Sequence, residues 1–363
     1  MDHIEDNEQF AGLSVSKGIE KPPMVNPYAI RRPKRRQYTV HEYVEGILKG
    51  DISILSQAVT LVESTNADHY AVAQEVIEKC LPYSGNAIRI GITGVPGAGK
   101  STFIEALGTY LVGKGNKLAV LAIDPSSERS KGSILGDKTR MEELSASKQA
   151  FIRPSPSSGS LGGVARKTRE TSILCEAAGF NMVFIETVGV GQSETAAHSM
   201  VDFFLLLQLT GAGDELQGIK RGIMEMADAI VINKAEGNNI DKAKLAQRQL
   251  KNALHLFPPH ESGWEPQVLT CSAFHKTGME EIWKMVEEYM AFTKANGSFG
   301  AKRKKQNKYW MYESINEQLK NNFYNNPVIS GKLADFEQRV LRDEISSFSA
   351  AQKLLDEYFK AKG

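Results

Sequence analysis

The sequence predicts an α/β fold in which a mostly parallel sheet lies between helices, with a helical module before it and an arm of helices after it. Three observations predict this. Gly94-Val95-Pro96-Gly97-Ala98-Gly99-Lys100-Ser101 satisfies the phosphate-loop pattern G-x-x-x-x-G-K-[ST]. The apolar, β-branched run 88–93 precedes that loop, and Phe103, Leu107 and Leu111 follow it at helical spacing, so the loop joins a strand to a helix. From about 87 to 272, apolar runs alternate with helical patterns and end in polar motifs, the signature of a parallel sheet covered on both faces.

Taken in order, residues 1–37 are polar, aperiodic and rich in proline (Pro22, Pro23, Pro27, Pro33), which predicts a disordered tail. Its basic end at 31–36 reads as a solvated flank. Thr39-x-x-Glu42 is a capping box, and the stripes Val40/Tyr43/Val44/Ile47/Leu48, Leu55/Ala58/Val59/Val62 and Ala73/Val76/Ile77/Cys80 predict three helices within a module at 38–86. Residues 87–296 form the expected nucleotide domain, with strands at 88–93, 117–123, 182–187, 203–209, 229–232 and 267–269 and helix formers at 164–178. Residues 297–363 leave the alternating pattern. The run Lys302-Arg303-Lys304-Lys305 reads as a solvated helix entrance, followed by the stripes Tyr312/Ile315/Leu319/Phe323, Leu333/Phe336/Val340 and Ala351/Leu354/Leu355/Tyr358.

Composition narrows the class. The 363 residues are 41% hydrophobic and 24% charged with a formal net charge of +1, so nothing global draws the chain to nucleic acid or a membrane. Cys80, Cys175 and Cys271 are far apart and lack the spacing of a thiolate metal site or a disulfide framework. That usage suits a reducing cytoplasm. No apolar run is long enough to span a bilayer, and the acidic start (Asp2, Glu5, Asp6, Glu8) is unlike a signal or transit peptide.

The motifs point to chemistry on a nucleoside triphosphate. Glycines 94, 97 and 99 allow backbone N–H groups to approach a polyphosphate, and the following helix start (Lys100, Ser101, Thr102) adds its positive end. Lys100 is expected on the β- and γ-phosphates and Ser101 on Mg²⁺. Glu186 ends an apolar strand, where a carboxylate suits Mg²⁺ or the attacking water near the γ-phosphate. Asp124 follows the second strand and Asp137 lies in the glycine- and serine-rich segment beyond it; both suit the metal shell, and either also fits a turn. After Glu186, Gln192 is the one candidate for positioning water. A carboxylate accepts from guanine N1–H and its exocyclic amine but repels adenine N1. Asn233-Lys234-Ala235-Glu236 therefore resembles the N-K-x-D guanine motif, with Glu236 where Asp is usual, and Ser272-Ala273 resembles the further base-contacting segment. The extra methylene leaves guanine selectivity open.

Together G-V-P-G-A-G-K-S, D-P-S-S, G-D-K-T-R-M at 136–141, E-T-V-G-V-G-Q-S-E at 186–194 and G-D-E-L-Q-G-I-K-R-G at 213–222 resemble the MeaB/ArgK family of P-loop GTPases, which includes the human protein of the cobalamin A type. The likeness covers roughly residues 40–362. It implies a P-loop NTPase fold, GTP hydrolysed to GDP with Mg²⁺, and a chaperone that gates adenosylcobalamin delivery to methylmalonyl-CoA mutase and protects or reactivates it. It also implies a homodimer made by the C-terminal arm, and a third switch at 213–222 with Gln217 and Lys220 at its functional positions. On the residues alone, Lys220 either brings charge to the triphosphate or is a solvated lysine on a glycine-rich loop. Other readings are a nickel-delivery GTPase, a kinase of a transport protein, and a non-catalytic nucleotide-binding scaffold.

Overall fold

The computed structural model describes residues 38–123, 141–154, 161–187, 193–210 and 221–360, so the expectations for the tail 1–37 lie outside the described residues. Three helices open the fold: α1 (Val40–Leu48), α2 (Ile52–Glu63) and α3 (Ala67–Cys80). Asp51 caps α2 by accepting from the Ser53 and Ile54 N–H groups, and Asn66 caps α3 by accepting from Asp68 N–H. The predicted stripes supply the buried faces, from Tyr43 and Ile47 through Leu55, Val59 and Val62 to Val76, Ile77 and Cys80, although Leu48 of the first stripe is exposed.

Seven parallel strands follow: β1 (Ile88–Gly94), β2 (Leu118–Ile123), β3 (Ala150–Arg153), β4 (Met182–Thr187), β5 (Phe203–Leu209), β6 (Ala229–Asn233) and β7 (Gln267–Thr270). They lie in the order β3-β2-β4-β1-β5-β6-β7. The register sets Ile92 beside Glu186 on one side and Leu205 on the other, and Gly94 beside Leu207. β1, β4, β5 and β6 are almost wholly buried, which is why β4, β5 and β6 read as nearly continuous apolar runs rather than alternating ones, while β1 carries the buried, paired Arg89. The strand β3 was not anticipated: it has four residues, pairs among the described residues only with β2, and buries only Phe151.

Between the strands run α4 (Lys100–Gly113), α5 (Glu142–Ala146), α6 (Leu161–Ala177), α7 (Ser193–His198), α8 (Arg221–Met226) and α9 (Ile240–Leu254), and after β7 comes α10 (Met279–Ala295). On one face Ile90, Ile92, Phe184, Phe203, Leu205 and Leu207 pack with Phe103, Ile104, Leu107 and Leu111 of α4 and Ile282, Met285 and Val286 of α10. Burying each such side chain contributes about 1.5–3 kcal/mol. On the other face Leu206, Ile230 and Ile232 meet Met224 of α8 and Ala243, Ala246 and Leu250 of α9. There α6 covers β2 and β4 and is itself covered by α1, α2 and α3.

The C-terminal arm is α11 (Ser298–Tyr324), α12 (Pro327–Leu341) and α13 (Ser347–Lys360). Its first turns correct the reading of 302–305 as solvated at Lys302 and Arg303. Lys302 Nζ donates to the Asp202 carbonyl at 2.7 Å and lies 3.4 Å from Asp228 Oδ2. The Arg303 guanidinium grips the buried Asp202 carboxylate through Nε at 2.8 Å and Nη2 at 2.7 Å. Lys304 and Lys305 do face water, Lys305 paired with the exposed Glu261. Farther along α11 the stripe Tyr312, Ile315 and Leu319 is 52%, 46% and 57% exposed. Among the described residues no helix is long and apolar enough to cross a membrane.

Candidate nucleotide site

The carboxyl ends of β1, β4 and β6 and the segment after β7 bring the described candidate residues to one edge of the sheet. At Gly94 the chain leaves β1 so close to β5 that a Cβ would be driven into the Leu207 carbonyl oxygen. Gly99, at φ +84°, immediately precedes α4, and a Cβ there would fall 2.7 Å from Asn233 Nδ2. Only glycine fits either position. The unpaired N–H groups of the first turn of this 14-residue helix then face the loop, a ready anion site.

Lys100 Nζ donates to the Gly94 and Val95 carbonyls at 2.9 and 3.3 Å, so its ammonium is held across the loop. Burial lowers its pKa below the ordinary lysine value, while the Glu186 and Glu194 carboxylates pull the other way. Ser101 Oγ donates to Glu186 Oε1 at 3.2 Å, which unites the helix start with the tip of β4. Behind them Thr187 Oγ1 donates to Thr93 Oγ1 at 2.8 Å, fixing the two strand ends to each other.

At the other end Asn233 closes β6 and connects three segments. Its Nδ2 donates to the Ala98 carbonyl at 2.9 Å, and its Oδ1 accepts from Ala273 N–H at 2.9 Å and from Cys271 Sγ at 3.5 Å. Burial pushes the Cys271 thiol up to about 12, with Glu236 adding to the shift, so it stays a donor. Lys234 adopts φ +60°, a left-handed conformation that costs a non-glycine residue about 1–3 kcal/mol and persists where surrounding structure imposes it. The Glu236 carboxylate accepts from Ser272 Oγ, which also accepts from His275 N–H at 3.1 Å. Asn233, Lys234, Glu236, Ser272 and Ala273 thus form one cluster.

The strand order arranges these groups as a track: base motifs at β6 and β7, the phosphate loop at β1, the acid at β4. Asp124, Asp137, Gln192, Gln217 and Lys220 lie outside the described residues.

The family described as Methylmalonyl Co-A mutase-associated GTPase MeaB matches residues 55–328. The chain belongs to the MeaB family of GTPases. GTPase ArgK of Escherichia coli is 47% identical over 288 residues, covering 79% of this chain and 87% of that protein. The mouse mitochondrial methylmalonic aciduria type A homolog is 44% identical over 331 residues, covering 88% of this chain and 80% of that protein. The solved structure of a protein named LAO/AO transport system kinase shares 37% identity and a TM-score of 0.69, covering 88% of this chain and 98% of its own.

In this MeaB-family GTPase the fold implies guanine nucleotide binding. One residue at the track was not singled out from sequence: Glu194, 2% exposed in the first turn of α7. It closes the motif at 186–194 but drew no role of its own there, because an acid at a helix start is ordinary. A cavity of about 520 Å³ lies elsewhere, at the amino ends of β5 and β6, where Asp202, Asp228, His260, Lys302 and Tyr289 line it.

Proposed function

We propose that this MeaB-family GTPase gates delivery of adenosylcobalamin to methylmalonyl-CoA mutase and protects or reactivates that enzyme. The observation that carries this reading is the match over residues 55–328 to a family described by its association with that mutase. The mouse relative's name, for a methylmalonic aciduria, points the same way.

The chemistry proposed is slow hydrolysis of GTP by positioning and charge neutralisation. The loop 94–99 and the N–H groups of Lys100, Ser101 and Thr102 would hold the phosphates, with Lys100 moving from its carbonyl partners to the β- and γ-phosphates. Asn233, Lys234, Glu236, Ser272 and Ala273 would hold guanine, Glu236 accepting from its N1–H and exocyclic amine. The hydroxyl and carboxylate oxygens of Ser101 and Glu186, already 3.2 Å apart, are the hard donors that Mg²⁺ prefers, and Asp124 and Asp137 would complete the set. When bound, Mg²⁺ supplies charge neutralisation at the terminal phosphates. Gln192 would orient water and Lys220 would bring charge to the triphosphate.

The protein would act in the cytoplasm as a homodimer joined by the arm, whose α11 stripe at Tyr312, Ile315 and Leu319 is unusually exposed for apolar residues at helical spacing. The kinase reading draws on the name of one solved relative. Transfer of label from γ-labelled nucleotide to a protein acceptor would favour it.

Co-purification with candidate acyl-CoA mutases, with and without a non-hydrolysable GTP analogue, tests the main reading. Nucleotide-dependent capture of methylmalonyl-CoA mutase is the expected result. Capture that ignores the nucleotide, or no capture, contradicts it.

A further inference from the structure

We propose that Glu194 weights the phosphate cradle against a third phosphate, and so sets the balance between GDP and GTP. The proposal rests on reading the track as a guanine nucleotide site. Three observations carry it. Glu194 is a carboxylate only 2% exposed, and its hydrogen-bond partner is the hydroxyl of its neighbour Ser193, 3.4 Å away. Among the described residues no cation forms an ion pair with it and Lys100 feels it only through its field, although a buried carboxylate is normally found paired. Other buried acids of this protein obey that rule: Asp202 is gripped by Arg303, and Glu176 by Arg89 at 2.6 Å.

Place decides what such a charge would do. The helix α7 packs against β4 and β1, the strands that end in Glu186 and in the phosphate loop. A nucleotide whose base lies at β6 and β7 and whose first phosphates lie over β1 extends its terminal phosphate toward β4. Glu194 is therefore on the side of the cradle that a triphosphate reaches and a diphosphate leaves empty. Its field already acts on Lys100, the residue whose ammonium must compensate the terminal phosphates. Adding a phosphoryl group there sets like charges against each other in a poorly hydrated site, which shifts an affinity by roughly tenfold for a single charge. Removing the carboxylate charge should release this penalty for the triphosphate and hardly at all for the diphosphate.

The test is calorimetric titration of the full chain with GDP and with a non-hydrolysable GTP analogue at fixed magnesium, for the parent, Glu194→Gln and Glu194→Asp. Glu194→Gln is expected to shift the ratio of GDP Kd to analogue Kd toward the triphosphate by about five- to tenfold, while the charge-retaining Glu194→Asp stays within about twofold of the parent. The neutral isostere keeps the Ser193 contact and removes a buried charge, so its melting temperature should equal or exceed that of the parent. An unchanged ratio, equal tightening of both nucleotides, or weaker triphosphate binding overturns the proposal. So does a Glu194→Gln chain that melts well below the parent, which would assign the carboxylate to the fold. If the parent binds neither nucleotide, the site itself is wrong. If the parent binds both and Lys100→Ala loses them while the Glu194→Gln ratio stays put, only the role of Glu194 falls.

Discussion

The Asn233 amide donates to the Ala98 carbonyl across 2.9 Å, so the tip of β6 holds the phosphate loop directly. The same side chain accepts from Ala273 N–H, and both partners are buried. Asn233→Ala would leave a carbonyl and an N–H unpaired, at about 1–3 kcal/mol each. Chemical denaturation should show a loss of about 2–4 kcal/mol, and GDP titration an affinity at least about tenfold weaker.

Lys100 is the cation held in the cradle. Lys100→Ala should lower phosphate release at saturating GTP by about a hundredfold or more, the cost of losing a donor aimed at developing charge. Turnover equal to the parent's would place the chemistry elsewhere.

Arg303 gives its guanidinium to Asp202, a carboxylate 1% exposed that also accepts from Arg89 N–H at 2.9 Å. Arg303→Leu strands that charge in the interior and should destabilise the protein by about 3–5 kcal/mol, read as a lower denaturation midpoint at unchanged slope.

Acid should weaken the fold through His198. Burial, followed by Lys302, His260 and Lys305, pushes its pKa from 6.5 down to about 4, against the opposing pull of Asp228. Between those values the unfolded chain binds more protons than the folded one. The contribution is thus complete above 6.5 and is lost as pH falls toward 4, up to about 3 kcal/mol. Melting temperatures measured from pH 7 to 4 should flatten over this window in His198→Asn.

The dimer proposal is best tested by point substitution, because α11 is rooted in the core through Arg303, Gln306 and Trp310 and cannot be cut away without exposing it. Tyr312→Glu, Ile315→Glu and Leu319→Glu together should yield a monomer in sedimentation with little change in melting temperature. A dimer that survives them does not use this stripe.

Five of the seven strands were legible because burial leaves an apolar run, whereas β3 and β7 are both four-residue edge strands with one buried side chain; β7 was read because the polar segment Thr270-Cys271-Ser272-Ala273 ends it, and β3 has no such marker. The phosphate loop was legible because its function resides in backbone geometry that glycine spacing encodes. The double tie made by Asn233 was not, since its partners lie 135 and 40 positions away. Lys302 and Arg303 looked solvated for the same reason: Asp202, which receives both, precedes them by 100 and 101 residues.

The placement of β1 between β4 and β5 also governs the order in which the protein can be made. Residues 94–101 leave the ribosome long before either neighbouring strand, and Asn233 and Ala273 come later still. A nascent chain therefore carries a bare strand with both edges open, the kind of segment that aggregates unless shielded, until residues 182–187 have been made. At the proposed site guanine nucleotide would stabilise the fold only once translation has passed Ala273, so the ligand would act as a certificate of a finished domain rather than a seed for it.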